Sequence, residues 1–524
     1  MIEAHPPLTA ATLARLLGPW RVVGGADAAR HPARTALAER VTALILDGRV
    51  AVGARLPAER PLSEALGLSR TTVTAAYAHL VEQGYAVARR GSGTYTALPE
   101  RLLARPSGGW HESLDPDPID LTCAAPLPPL AALRAATAWA AERLPVLAGG
   151  IVQPYGLAAL REAVAERYRA RGLPTEPSQI LITAGAQGAI TLVSRLLIRA
   201  GDRVLVEGPT YPNAVDSFAA ARARLTPVPL DPAGGWADGA GGRAQAPAVS
   251  ALDRIGGFGE GAGLATATSR IPLAQAATRL SPRLVYTVPH FHNPTGLLMP
   301  TELAGPLARA ARKAGAWLLA DETITDAALD VPVPPPFAAA VGPADAERLL
   351  VCGSLGKSFW GGLRIGWLRA PSRVVHELAA ARASLDLGSP MLDQLIAVAV
   401  LREGFGIEEE RRREWREARA LLETRLRAAM PDWSWRTPEG GLSLWVRLAE
   451  GEESTGLVHR AATHGLLLQS GPRFGADPGT YERCLRLPYT QTPDKLTDAV
   501  RRLAAARTAP GPLRTSEARR DLVA

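Results

Sequence analysis

Val351–Trp367 reads V-C-G-S-L-G-K-S-F-W-G-G-L-R-I-G-W, and the fold follows from what its lysine needs around it. The chain carries 59 Lys plus Arg, yet only Lys313, Lys357 and Lys495 are lysines. Arginine serves almost everywhere a positive charge is wanted, so Lys357 stands out. A guanidinium stays protonated at any ordinary pH, whereas a lysine amine loses its proton more readily and attacks carbonyl carbon. Gly353, Gly356, Gly361 and Gly362 let a ligand approach the backbone, and Ser354, Ser358 and Arg364 add a phosphate-binding character. An aldehyde-bearing phosphorylated ligand needs this set: an amine for the aldehyde, a hydroxyl and a guanidinium for the phosphate. Taken alone, the stretch reads equally well as a Gly-rich surface loop, and its neighbours decide.

Outward from it, apolar strands alternate with helices. Tyr155 to Tyr168 reads as a helix, Ile180 to Thr183 as a strand, Ala184 to Gln187 as a turn, and a further helix runs to about Ile198. Arg203 to Glu207 leads into G-P-T-Y-P, Leu284 to Val288 into P-H-F-H-N-P-T-G, and Ala316 to Ala320 into D-E-T. This alternation predicts an α/β fold with a mostly parallel sheet and ligand groups at the strands' carboxyl ends. A strand, a small-residue turn (Gly185, Ala186, Gln187) and a helix N-terminus favour a phosphate. Tyr211, Asn293 and Asp321 follow successive strands, which places a ring-stacking phenol, an amide donor and a carboxylate around one ligand. From about Pro371, helices (Val374 to Ala383, Leu392 to Glu403, Glu408 to Met430) and strands near Leu442 to Val446 and Cys484 to Leu487 predict a smaller α+β lobe.

Before this body lies a different pattern. A short amphipathic segment, Leu8 to Leu17, precedes the first dense helix, where Thr35 is the expected cap, Leu37, Val41, Leu44 and Ile45 share a face, and Gly48 is the stop. A second helix spans Ala58 to Leu66. Ser69 caps a third with Val73, Ala76, Tyr77, Leu80 and Val81 on one side and Arg70, Thr71 and Thr74 outward. Y-A-V-A-R-R-G-S-G-T-Y-T then reads as two strands about a turn holding Gly91 and Gly93. Three helices and a hairpin make a winged helix-turn-helix, whose third helix enters a DNA major groove. Residues 31–96 hold eight arginines and five acids, a small excess, so the placement of Arg60, Arg70, Arg89 and Arg90 carries more weight than the total.

Composition narrows the rest. A length of 524 residues implies about three folded units. No run long and apolar enough for a membrane span and no leader-like start occur, so a cytoplasmic chain is expected. Cys123, Cys352 and Cys484 are isolated, which argues against disulfides and against a metal site. Stretch 97–118 reads as a linker, 231–269 as a Gly/Ala-rich insertion, and 509–524 as a frayed tail.

G-R-V-A-V-G-A-R-L-P-A-E-R-P-L-S-E-A-L-G-L-S-R-T-T-V-T-A-A-Y-A-H-L-V-E-Q-G-Y, through the hairpin, resembles the DNA-binding domain of the GntR family. The resemblance implies DNA contacts from Arg60, Ser69, Arg70, Thr71, Thr72 and Gly93. The region from about Ile119 to Ala505 resembles the fold type I, aspartate aminotransferase-like enzymes that use pyridoxal 5'-phosphate, and the whole chain resembles a MocR-type regulator. This implies Lys357 as the residue that bonds the cofactor aldehyde, Asp321 as the pyridinium partner and Asn293 as a donor to the ring oxygen. Tyr211 would lie near the ring, and Gly185, Ala186, Gln187, Ser354 and Arg364 would hold the phosphate. Arg486, in R-C-L-R-L-P-Y-T, would grip an amino-acid carboxylate. Two departures stand out: Thr323 replaces a tyrosine common two residues after that aspartate, and Asn213 replaces the arginine of a GABA-sensing type. The expected chain is therefore head 31–96 after extension 1–30, then body 119–508 with a large domain at about 150–370 and a lobe at about 371–508. It acts as a homodimeric regulator of double-stranded DNA that senses pyridoxal phosphate or an amino compound. The other reading is a working aminotransferase with an accessory DNA-binding head.

Overall fold

The computed structural model describes residues 8–18, 33–46, 50, 53–89, 91–97, 99, 118–147, 153–230, 272–403, 407–476 and 480–509. The insertion, most of the linker, the tail beyond 509, Gly48 and Arg90 lie outside them. Two compact units form, one from Met1–Ala124, Glu414–Thr437 and Leu442–Ala524, the other from Ala125–Arg413 and Pro438–Gly441.

In the first unit, α1 (Ala10–Leu17) starts at Thr9, whose hydroxyl accepts from the Thr12 N–H at 3.1 Å. α2 (Ala33–Leu46), α3 (Glu59–Leu66) and α4 (Arg70–Glu82) follow, then the hairpin β1 (Ala86–Arg89) and β2 (Gly93–Thr96). Leu13, Leu17, Leu37, Val41, Leu62, Val73, Ala76 and Leu80 are fully buried together, so α1 belongs to the head's core. Each leucine or valine there contributes about 1.5–3 kcal/mol relative to exposure. Two expectations fail locally. Thr35 is the third residue of α2 and not its cap, because the helix already begins at Ala33. Val81 is 39% exposed: eight residues after Val73 it has rotated about 80° off the buried stripe, whereas Leu80 stays on it.

The same unit contains β3 (Ile119–Asp120), parallel to a short strand at Leu466–Leu467, and a four-stranded antiparallel sheet described below. α2 lies against the helix Ser454–Thr463. Arg40 of α2 is buried, forms an ion pair with Glu482, and donates from Nε and Nη2 to the Leu17 carbonyl at 3.4 and 3.3 Å. Tyr85 meets His459 edge-on at 6.3 Å.

The second unit is built on seven strands: β4 (Ile180–Thr183), β5 (Arg203–Gly208), β6 (Arg224–Pro229), β7 (Leu284–Thr287), β8 (Trp317–Asp321), β9 (Leu349–Ser354) and β10 (Gly366–Arg369). Their order is β4-β10-β9-β8-β7-β5-β6. β10 runs antiparallel to both neighbours, and the other adjacent pairs are parallel. β4 thus points the same way as β9, and Thr183, Gly208, Thr287, Asp321 and Ser354 end their strands at one edge. β6 holds Pro227 and Pro229 and lies at the border of the sheet, where missing N–H donors cost least. Helices Ser372–Arg382 and Met391–Arg402, expected in the smaller lobe, belong to this unit. Their buried Val374, Val375, Leu378, Leu395, Ile396 and Val398 face helices of the large domain, which moves the boundary later than Pro371.

The remaining strands are β11 (Ser434–Trp435), β12 (Ser443–Arg447), β13 (Leu466–Leu467), β14 (Gln469–Ser470) and β15 (Cys484–Pro488), with β11-β12-β15-β14 forming the antiparallel sheet of the first unit.

Candidate cofactor site and nucleic-acid interface

The cradle begins at Gly366, which pairs with Thr183 on one side and Ser354 on the other. A Cβ on Gly366 would lie 2.4 Å from the Gly185 carbonyl carbon and 2.6 Å from the Ala186 nitrogen, so the turn after β4 presses directly on β10. Gly185 has φ +70°, and a Cβ on it would lie 2.9 Å from Arg364 Nη2. The guanidinium therefore sits beside the first turn of the helix Gly185–Leu197, whose capping residue Ala184 supplies no side-chain acceptor. Open N–H groups, a helix dipole and a cation converge there, which is an anion site. Ser354 Oγ accepts from the Gly356 N–H at 3.0 Å and donates to the Ile365 carbonyl at 3.1 Å. Gln187 Nε2 donates to the Asn213 carbonyl and Ser217 Oγ, at 3.2 and 2.8 Å, so its side chain is engaged with the helix Pro212–Ala220.

Asp321 ends β8 and is held on both oxygens. Tyr286 donates to Oδ2 at 2.8 Å, and the Thr323 N–H donates to Oδ1 at 3.0 Å, joined there by the Thr323 hydroxyl. Burial, and then the adjacent Asp321, push the Tyr286 phenol and the Cys352 thiol well above their ordinary values, so both remain protonated donors. Thr323, which differs from the family's usual tyrosine, thus acts on the carboxylate. Lys357 is half-buried in the turn that leaves β9, five residues beyond Cys352, the partner of Asp321 in register.

Asn293 sits in a loop fixed by a buried network. Glu207 accepts from the Thr287 hydroxyl and from the Val288 N–H at 2.9 Å, and lies 3.1 Å from His292 Nε2. His292 Nδ1 meets Thr295 Oγ1 at 2.8 Å. Tyr211 occupies the cap position of the helix Pro212–Ala220, and its hydroxyl accepts from Asn213 Nδ2 at 3.1 Å. The second unit therefore brings Gly185, Ala186, Gln187, Tyr211, Asn293, Asp321, Ser354, Lys357 and Arg364 to the carboxyl edge of one sheet or the loops leaving it. Gly353 has another purpose than ligand approach: a Cβ there would meet the Trp367 ring at 2.6 Å. A phosphate cradle, a strand-end carboxylate and an amine fit pyridoxal phosphate. Sequence reading missed Tyr286 and Glu322. Glu322 is buried and accepts from the Phe337 N–H, and burial pushes its carboxyl up to about 7.

Arg486 belongs to the first unit, on β15. Its Nη2 donates to the Thr122 carbonyl and to Gln469 Oε1, the latter at 3.2 Å, and its guanidinium lies 4.9 Å from the Phe474 ring centre. In the head, Ser69 caps α4 by accepting from the Thr72 N–H at 3.1 Å and meets the hydroxyls of Thr71 and Thr72 at 2.8 and 2.7 Å. Exposed Arg60 and Arg70 reach Glu64 and Glu59 at 3.1 and 3.3 Å, and Gly93 opens β2 with φ +104°.

A winged helix-turn-helix in a chain whose sheet edge is built to hold a phosphorylated aldehyde defines a DNA-binding protein with a pyridoxal phosphate-dependent body. Residues 33–96 match the bacterial regulatory proteins of the gntR family, and residues 138–242 and 273–503 match aminotransferase class I and II. The chain belongs to the aminotransferase class I and II family and is a MocR-type fusion of that body with a GntR head. It is 27% identical to the HTH-type transcriptional regulator TauR of Rhodobacter capsulatus, over 92% of this chain and 97% of that one. It is 26% identical to the probable rhizopine catabolism regulatory protein MocR of Rhizobium meliloti, over 83% and 85%. Among solved structures it resembles LysN, the α-aminoadipate aminotransferase of Thermus thermophilus, complexed with N-(5'-phosphopyridoxyl)-L-leucine. That likeness has a TM-score of 0.62 at 26% identity and covers 74% of this chain and 92% of LysN. No helix among the described residues is long and apolar enough to cross a membrane.

Proposed function

We propose that this pyridoxal phosphate-dependent, DNA-binding transcriptional regulator senses the cofactor itself, or an amino compound that reacts with it, at the Lys357 site. The observation that carries this is the cradle beneath Gly366, together with Asp321 and Lys357, in a chain that also bears a GntR head. When bound, the cofactor supplies an aldehyde for amines and a ring that draws electrons from the carbon next to nitrogen. The protein does the rest. The first turn of Gly185–Leu197, Ser354 and Arg364 hold the phosphate, and Lys357 offers Nζ to the aldehyde. Asp321, fixed by Tyr286 and Thr323, presents a carboxylate to the ring nitrogen's proton. Asn293 donates to the ring oxygen, Tyr211 covers the ring, and Arg486 receives an effector carboxylate. Head domain 31–96 reads DNA through Arg60, Ser69, Arg70, Thr71, Thr72 and Gly93, as a cytoplasmic homodimer that offers two recognition helices to paired half-sites. An effector changes DNA binding only by favouring one domain arrangement over another, since equal binding shifts nothing.

Visible absorbance tests the site. Protein incubated with pyridoxal phosphate is expected to colour, Lys357→Ala to remain colourless, and borohydride to fix the cofactor to position 357. A colourless wild type overturns the reading. Footprinting of the region upstream of its own gene, with and without cofactor, tests the head. Likeness to LysN favours a second reading, a working aminotransferase with a DNA-binding head. Steady-state transamination over a panel of amino acids separates the two, because a sensor binds without turnover.

A further inference from the structure

The wing has a third strand. The Gly53 N–H donates to the Thr96 carbonyl, Leu56 N–H to Thr94, and Thr96 N–H to Ala54, each at 2.9 Å. Arg55 is thereby set opposite Tyr95, which pairs with Val87, while Gly93 pairs with Arg89. Side chains two apart on a strand share a face, so Arg55, Tyr95, Val87 and Arg89 point to one side of this small sheet, with Gly93 among them. The opposite side carries Ala54, Leu56, Ala86 and Thr96, all buried against the head's core. The first side is open: Arg55, Arg89 and Gly93 are exposed, and Val87 is 49% exposed.

On that open side the two guanidiniums are organised. Arg89 lies over the Tyr95 ring, 4.5 Å from its centre, and Tyr95 is tied by its hydroxyl to Ser92 Oγ at 2.6 Å. Arg55 extends across Gly93, whose missing Cβ would stand 3.1 Å from Arg55 Nε. Arg60 and Arg70 are engaged with Glu64 and Glu59, but Arg55 and Arg89 make no ion pair among the described residues. Two forked cations without an ion pair among the described residues, one stacked on Tyr95 and the other laid across Gly93 on the same face, suit a sugar–phosphate chain.

We propose that Arg55, from the strand before α3, adds a DNA backbone contact beside the wing, where it and Arg89 each neutralise a phosphate. Arg55 is therefore a DNA contact that lies outside both the recognition helix and the hairpin. The site rests on DNA binding by the head, and the test separates the two. The probe is a short labelled DNA duplex of arbitrary sequence, titrated with full-length protein at several salt concentrations. Wild-type binding with a measurable salt slope establishes the head. Against it, Arg55→Ala is expected to lower the slope of log K on log salt by about 0.9 and Arg89→Ala by a similar amount. Arg55→Lys keeps the charge and is expected to keep the slope. Because Arg55 is exposed, thermal unfolding of Arg55→Ala should match wild type, which separates lost contact from lost fold. An unchanged slope in Arg55→Ala, alongside a reduced one in Arg70→Ala, overturns the proposal while leaving DNA binding intact. A slope lost equally in Arg55→Lys also overturns it, since it assigns the residue a packing role.

Discussion

Replacing Arg40 by alanine removes one partner of a buried ion pair and leaves the Glu482 carboxylate behind. Arg40 is 5% exposed and the Glu482 side chain 13%, so solvent screens the pair little. Breaking such a pair from one side costs about 3–5 kcal/mol, because the remaining charge stays desolvated. Glu482 keeps the Thr455 hydroxyl at 2.8 Å and the Thr455 N–H at 3.4 Å, which places the loss toward the lower end. Arg40→Ala also removes the two bonds to the Leu17 carbonyl, and so loosens α1. For a unit of this size each kcal/mol shifts the midpoint by roughly 2–4 °C, so a fall on the order of 10 °C is expected in the transition that unfolds the first unit. Differential scanning calorimetry of Arg40→Ala, Glu482→Ala and the double variant measures it. The double variant should lose less than the sum of the singles, since the stranded charge is then gone. A midpoint within about 1 °C of wild type for Arg40→Ala, or strictly additive losses, refutes a coupled buried pair.

Burial raises Glu322 to about 7 from its ordinary 4.5, so the folded chain holds a proton that the unfolded chain has released between those values. Its contribution to stability falls as pH rises through that window, and Glu322→Gln, which keeps an acceptor for the Phe337 N–H, should raise the urea midpoint at pH 8 more than at pH 5. Tyr286→Phe deletes a buried hydrogen bond to a charged carboxylate and should cost about 1.5–3 kcal/mol in denaturant titration. Gly366→Ala drives a methyl into the backbone of Gly185 and Ala186 and should abolish cofactor uptake, seen as lost visible absorbance. Tyr77→Phe removes the bond to the Pro57 carbonyl, 2.8 Å long, and should lower the head's stability by about 1 kcal/mol by the same titration.

Much of this architecture is local in origin and so legible in order along the chain. Ile180–Thr183 is a strand because three apolar residues and a β-branched threonine end in a small-residue turn, and Ser69 caps α4 because its hydroxyl is the right length for the Thr72 N–H. The strand ends that assemble Asp321, Asn293 and Tyr211 follow from the same alternation. β9 and β10 were hidden, since Gly353 and Gly366 read as loop, whereas their missing side chains admit the Trp367 ring and the Gly185 turn. β6 was hidden by Pro227 and Pro229, tolerable only at a border that periodicity does not reveal. The grip of Tyr286 on Asp321 and of Arg40 on Glu482 joins residues far apart in sequence, and no spacing announces either.

The head and the helix Ser454–Thr463 share one compact unit although nearly the whole body is translated between them. On the ribosome the head's own helices are complete early, but their seat emerges only after the body between them. A message cut short, or a stalled chain, therefore yields a DNA-reading module with nothing to rest on. Only a chain translated through that helix gives the recognition module its packing partner.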